Sequence, residues 1–162
     1  MLLDDLDRQI LILLQDHGRM AQAEIGRRVG LGPTAVLDRI RRLTETGVIR
    51  GFRAVLEPES LGFGLTAFAQ VSLTLHQEKP IERFRRAVRK LPEVQECHNV
   101  SGEFDFWIKV VCKDMKHYER FVREQLSTIA GIERIHSIFV LATNKDVDRL
   151  PLGDLPNVPD PA

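Results

Sequence analysis

Between positions 27 and 53 the chain places seven arginines (27, 28, 39, 41, 42, 50 and 53) against two acids, Asp38 and Glu45. That is a local balance of +5 in a chain of 162 residues whose formal net charge is zero. A guanidinium can fork two hydrogen bonds onto the edge of a guanine, or hold a phosphate by charge and hydrogen bond together. Arg41 and Arg42 are the expected base readers. Thr34 would meet a phosphate or a thymine methyl. Arg27, Arg28, Arg50 and Arg53 would clamp phosphates, which positions a protein without reading sequence, and Arg39 is counted with this DNA-binding set. Asp38 repels phosphate and is expected to orient Arg41 or Arg42 within the helix. The bland alternative is a solvated arginine face, so the elements carrying these side chains decide between the readings.

Residues 22–43 read QAEIGRRVGLGPTAVLDRIRRL. Ala21, Ile25 and Val29 share one face of a short helix closed by Gly30, and Pro33 suits the first position of the next helix because its missing N–H has no partner there anyway. Val36, Ile40 and Leu43 form the buried stripe of that helix, which Gly47 stops. The opposite face then holds Thr34, Asp38, Arg41 and Glu45, with Leu37 and Arg42 at its flanks. Upstream, Leu6, Ile10, Leu13 and Leu14 predict a helix over 5–16, with Asp4 and Asp5 at its N-terminus. A helix, a tight turn and a second helix with a basic outer side fit the major groove of DNA. The run VIRGFRAVLEP predicts two short strands around Arg50-Gly51, a candidate wing.

From Thr66 the apolar period changes from 3.6 to 2. Ala67, Ala69, Val71, Leu73 and Leu75 alternate with Thr66, Gln70, Ser72 and Thr74, a strand with one dry face. Ile81, Phe84, Val88 and Leu91 predict a helix ending at Pro92. Val94–Ser101 and Asp105–Cys112 predict strands joined at Gly102. Met115, Tyr118, Phe121 and Val122 predict a helix, and Ile132–Thr143 a last strand. The order βαββαβ is that of a ferredoxin-like sheet with both helices on one face. The expected fold class is α+β: a winged helix-turn-helix over 1–57, a linker over 58–65, the ferredoxin-like domain over 66–146, and a proline-rich tail over 147–162, mobile or draped on the surface.

Four stretches, LDRQILILLQDHGR, VGLGPTAVLDRIRRLTETGVIRGF, PEVQECHNVSGEFDFWIKV and MKHYERF, make the chain from 4 to 146 resemble the Lrp/AsnC (leucine-responsive, feast/famine) family of transcriptional regulators. The resemblance implies DNA binding, dimerisation through the sheet, and assembly of dimers into octamers. It also implies a small effector, usually an amino acid, bound between dimers. The family's Gly-Asp-Phe/Tyr-Asp loop reads Gly102-Glu103-Phe104-Asp105 here. By carry-over, backbone N–H groups at this turn would hold an α-carboxylate, Gly102 would allow close approach, and Asp105 would hold the ammonium. His98, Val100 and Ser101 would lead into the site, and Ser137 and Ile138 match positions that influence the effector response. Ala21 and Gly32 stand where relatives commonly have Ser, and Glu103 where Asp is more frequent.

The remaining residues narrow the function class. Cys97 and Cys112 sit in separate strand-like runs and read as inert thiols rather than a redox pair. No cofactor, metal cluster, nucleophile–base motif or phosphate-cradling glycine loop is expected. No run approaches the ~20 apolar residues of a membrane span. The acidic start, MLLDDLDRQI, lacks the positive region of a secretory signal, so the expected location is the cytoplasm. One competing reading is an enzyme on the same two-domain plan, of the sirohaem decarboxylase kind. Against it, His98 and His136 would fall on opposite edges of the sheet. Another is an amino-acid-sensing module acting on an enzyme.

Overall fold

The computed structural model describes residues 3–74, 78–146 and 149–154. Leu75 and residues 155–162 of the expected tail lie outside the described residues. The chain divides into two compact units, one ending at Val55 and resuming at Lys145, the other spanning Leu56–Asn144.

The first unit holds α1 (Asp5–Asp16), α2 (Gln22–Val29) and α3 (Pro33–Glu45). Asp4 caps α1 by accepting from the Asp7 N–H at 2.7 Å, and Asp7 returns the bond to the Asp4 N–H at 3.3 Å, a capping box built from two aspartates. Ala21 gives α2 no side-chain cap, as its methyl predicts. Ile10, Ile25 and Val36 form a fully buried core, with Leu13, Leu14, Met20, Val29, Leu31 and Ile40 packed around it. The α2–α3 turn is closed by Gly30 at φ 74° and by the Leu31 N–H on the Gly26 carbonyl at 2.9 Å. Gly26 is required by contact: a Cβ there would lie 2.4 Å from the Leu31 carbonyl oxygen.

The two short strands expected around Arg50-Gly51 are not formed. Residues 50–57 form no strand, and Phe52, Val55 and Leu56 are exposed. A run rich in strand-forming residues becomes a strand only where a neighbour supplies the ladder, and among the described residues none does. Part of the tail does drape. Leu150 exchanges backbone bonds with the Gln15 amide at 2.7 and 3.2 Å, and Arg149 pairs with Asp16, both on α1.

The second unit is a four-stranded antiparallel sheet in the order β2-β3-β1-β4. Its strands are β1 (Leu65–Leu73), β2 (Val94–Asn99), β3 (Phe106–Cys112) and β4 (Ile132–Phe139). The order β2-β3-β1-β4 is the ferredoxin-like one, and it leaves β2 and β4 on opposite edges. Helices α4 (Glu78–Val88) and α5 (Met115–Phe121) cover the dry face, and α5 runs on into a π-helical turn over Val122–Leu126. Ala67, Ala69 and Val71 from β1 and Phe106, Ile108 and Val110 from β3 meet Phe84, Val88, Tyr118 and Phe121 in the core. The other face carries Phe68, Gln70, Trp107, His136 and Ile138, with Phe68 and Trp107 edge to face at 5.8 Å. The first strand, both helices and β3 lie within a residue or a turn of their expected places. The edge strands β2 and β4 stop short, at Asn99 and Phe139.

Candidate nucleic-acid interface and effector cleft

Helix α3 buries Val36 and Leu43 completely and leaves Thr34, Asp38, Arg41 and Glu45 exposed, the division its 3.6-residue period requires. Among the described residues Arg41 has no ion-pair partner. Arg27 and Arg28 are exposed on α2 and both pair with Glu24, Arg28 Nε at 2.9 Å. The Arg28 bond, with the charge of Arg27, holds the Glu24 carboxyl below its usual range. Arg50 and Arg53 are exposed on the segment after α3.

Arg39 and Arg42 differ from expectation. Arg39 Nη1 bonds Asp4 Oδ2 at 2.6 Å and Asp7 Oδ1 at 2.7 Å, and Arg42 Nη2 bonds Asp7 Oδ2 at 2.5 Å. Asp7 is fully buried. A carboxylate with no access to water holds its counter-charges strongly, so both guanidiniums are tied to α1, Arg39 half-buried and Arg42 with its side chain still 44% exposed. The bonds from Asp4 and then Asp7 push the Arg39 pKa further up. Asp38, expected to orient Arg41 or Arg42, pairs with neither among the described residues. Asp7 was missed because an acid at a helix start reads as a dipole partner, and nothing local says that it is buried.

In the second unit an open cleft of about 680 Å³ is lined by Gln70, Asn99, Val100, Ser101, Glu103, Phe104 and Trp107. Four expected effector residues therefore come together: Val100, Ser101, Glu103 and Phe104. Gln70, Asn99 and Trp107 were missed, although their places on the wet side of alternating strands were a usable signal for Gln70. At one side Glu103 Oε1 meets Arg134 Nη2 at 2.8 Å, and the Arg134 guanidinium lies 4.9 Å over the Phe104 ring. Phe104 in turn stacks on His136, whose Nδ1 is 3.0 Å from Gln70 Oε1.

Other expected residues fall elsewhere. Gly102 makes the turn at φ 115°, a conformation that side chains resist. Asp105 Oδ2 accepts from the Leu73 N–H at 2.7 Å, while the Asp105 carbonyl accepts from the Val100 N–H at 3.0 Å and from Asn99 Nδ2 at 2.6 Å. Its carboxylate anchors the turn to β1 instead of reaching outward for an ammonium. His98 pairs with Glu96 at 3.1 Å and does not line the cleft. Ser137 and Ile138 cannot share one site, because adjacent strand residues point to opposite faces. Ser137 Oγ accepts from the Tyr118 hydroxyl at 2.7 Å on the helix side, and burial pushes that phenol's pKa up. Ile138 lies on the open face, outside the cleft lining.

Comparison with known proteins agrees with both halves of this description. Residues 3–50 match a family described as winged helix-turn-helix DNA-binding, and residues 66–150 match the Lrp/AsnC ligand binding domain. The chain is 40% identical over 144 residues to the proline dehydrogenase transcriptional activator of Rhizobium radiobacter, covering 89% of this chain and 92% of that protein. It is also 40% identical over 148 residues to the leucine-responsive regulatory protein of Escherichia coli K12, covering 91% and 90%. A transcriptional regulator from Neisseria meningitidis, solved as its L-Met complex, superposes with a TM-score of 0.88 at 37% identity, covering 93% of this chain and 97% of that one. Two family models that together cover most of the chain, and relatives 40% identical to it over about nine tenths of its length, show that the chain belongs to the Lrp/AsnC family of transcriptional regulators.

Proposed function

We propose that this regulator reads DNA with α3 and that its occupancy of sites responds to a small amino acid held in the cleft of the second unit. The observation that carries the DNA half is the outward face of α3, where Thr34, Asp38 and Arg41 stand exposed while Val36 and Leu43 anchor the helix. Arg41 reads a base edge, Thr34 contacts the backbone near the helix start, and Arg27, Arg28, Arg50 and Arg53 hold phosphates. The effector half rests on the cleft and on the L-Met complex of the Neisseria relative. Backbone N–H groups of the turn from Gly102 to Phe104 receive the carboxylate, since the Asp105 N–H is bonded to the Val71 carbonyl at 3.0 Å, and Gln70 and Phe104 contact the remainder.

The working form is a homodimer in the cytoplasm, with dimers assembling to octamers, and it has no catalytic role. Exposed Trp107 and Ile138 on the open sheet face favour burial against a second copy. No described helix is long and apolar enough to cross a membrane. Two copies of α3 would then meet successive major-groove faces about 34–36 Å apart, or a multiple of that.

Two experiments test the reading. Mobility-shift titration of a duplex across salt concentrations is expected to give a steep negative slope of log K on log salt, since arginine–phosphate contacts release counterions; a flat response overturns the DNA half. A thermal-shift screen of amino acids is expected to give a hit that Phe104→Ala weakens. A hit untouched by that change places the effector elsewhere.

A further inference from the structure

The structure assigns Asp7 a part in DNA reading that its place on α1, far from the outward face of α3, does not suggest. We propose that Asp7 is a positioning residue: by pairing with Arg39 and Arg42 it offsets their charge toward phosphates and fixes the rotation of α3, so that Arg41 is the unpaired arginine of that helix, among the described residues, that meets the duplex. The proposal rests on the DNA half of the function proposed above.

Three observations carry it. Asp7 is the one charged residue among the described ones that is fully buried, and both of its oxygens are used on guanidiniums, Oδ1 on Arg39 and Oδ2 on Arg42. Asp4 takes a second bond from Arg39, so two acids of α1 face two arginines of α3 and their charges balance. Lastly, Arg39 and Arg42 are three residues apart and lie on the flank beside the Val36–Leu43 stripe, whereas Arg41 turns about 100° per residue away from each neighbour onto the exposed side. Two bonds one helical turn apart resist both rotation and sliding of α3 against α1. A single contact would allow either.

The consequence is discrimination rather than strength. A guanidinium released from Asp7 would find any phosphate, and phosphate contacts raise affinity for every sequence alike. Keeping Arg39 and Arg42 paired with Asp7 suppresses that unselective term.

The test uses the full chain and two duplexes, one of mixed sequence and one enriched from a random pool by the wild-type protein. Arg50→Gln, at an exposed phosphate-holding position, is expected to make the salt slope shallower by about one, the signature of one lost phosphate contact. Arg42→Gln is expected to leave the slope on the mixed duplex unchanged. Asp7→Asn, checked for folding by circular dichroism, is expected to steepen that slope by about one or two and to lower the ratio of specific to mixed-sequence affinity at least about tenfold. A purely structural role for Asp7 would instead weaken both duplexes in proportion at constant slope, and that result overturns the proposal. So does an Arg42→Gln slope as shallow as that of Arg50→Gln, which remains decisive if Asp7→Asn does not fold. Wild-type protein with no salt-dependent binding would instead fail the function proposed above, a result separate from these.

Discussion

Gly26→Ala should disable the helix-turn-helix, although alanine is the better helix former. The new methyl would sit 2.4 Å from the Leu31 carbonyl oxygen, well inside contact distance. That oxygen belongs to backbone whose own N–H is bonded to Gly26 at 2.9 Å, so it cannot retreat without straining the turn. Overpacking of this kind costs about 1–3 kcal/mol, and a weakened turn bond adds about 1 kcal/mol. Helix propensity returns at most about 1 kcal/mol. The net loss is about 1–3 kcal/mol, and a unit of this size melts about 4–8 °C lower for each kcal/mol. Gly32→Ser is the control. Gly32 has nothing within 4 Å of where its Cβ would stand and φ of −71°, and Ser is a favoured N-cap, so the melting temperature should hold or rise. Differential scanning calorimetry of the full chain reads both. Equal melting temperatures for the two variants would refute the contact argument.

Other outcomes follow from the second unit. Asp105→Ala should destabilise it by about 1–3 kcal/mol in denaturant titration, because the Leu73 N–H loses its acceptor, while Asp105→Asn keeps one and should cost less. Cys112 is fully buried, and desolvation, with Glu93 and Asp114 nearby, pushes its thiol from 9.0 up to about 11. The folded state thus favours the neutral thiol: its contribution is whole below pH 9.0, the unfolded value, and is lost as pH rises through about 11. Alkylation at pH 8 should be at least about a hundredfold slower at Cys112 in the native chain than in urea, and Cys112→Ala should flatten the loss of stability above pH 9.

The helices were legible because each is amphipathic by itself. Ile10, Ile25, Val36 and Leu43 announce their faces through spacing alone, and Gly30 and Pro33 punctuate them. The sheet was legible for a similar reason, since a period of 2 from Ala67 to Leu73 has no helical equivalent. What local pattern cannot supply is the partner. The run after Gly47 has strand-like composition, yet among the described residues no strand pairs with it. Asp7 looks like any acid in a first helical turn until the fold places Arg39 and Arg42 over it. Ser137 and Ile138, neighbours in the chain, were joined into one site that the pleat separates. Gln70 and Trp107 reach the cleft from strands far apart in sequence, a convergence created only by the register of β1 with β3.

The short strap of Arg149 and Leu150 along α1 gives the first unit a discontinuous ancestry in the chain. Its three helices are translated first, but the piece that covers Gln15 and Asp16 emerges only after the entire sheet domain has been made. A growing polypeptide must therefore hold α1 with one flank bare while the ribosome completes nearly ninety further residues, those between Val55 and Lys145. Fragments cut after the linker would inherit that unfinished state permanently.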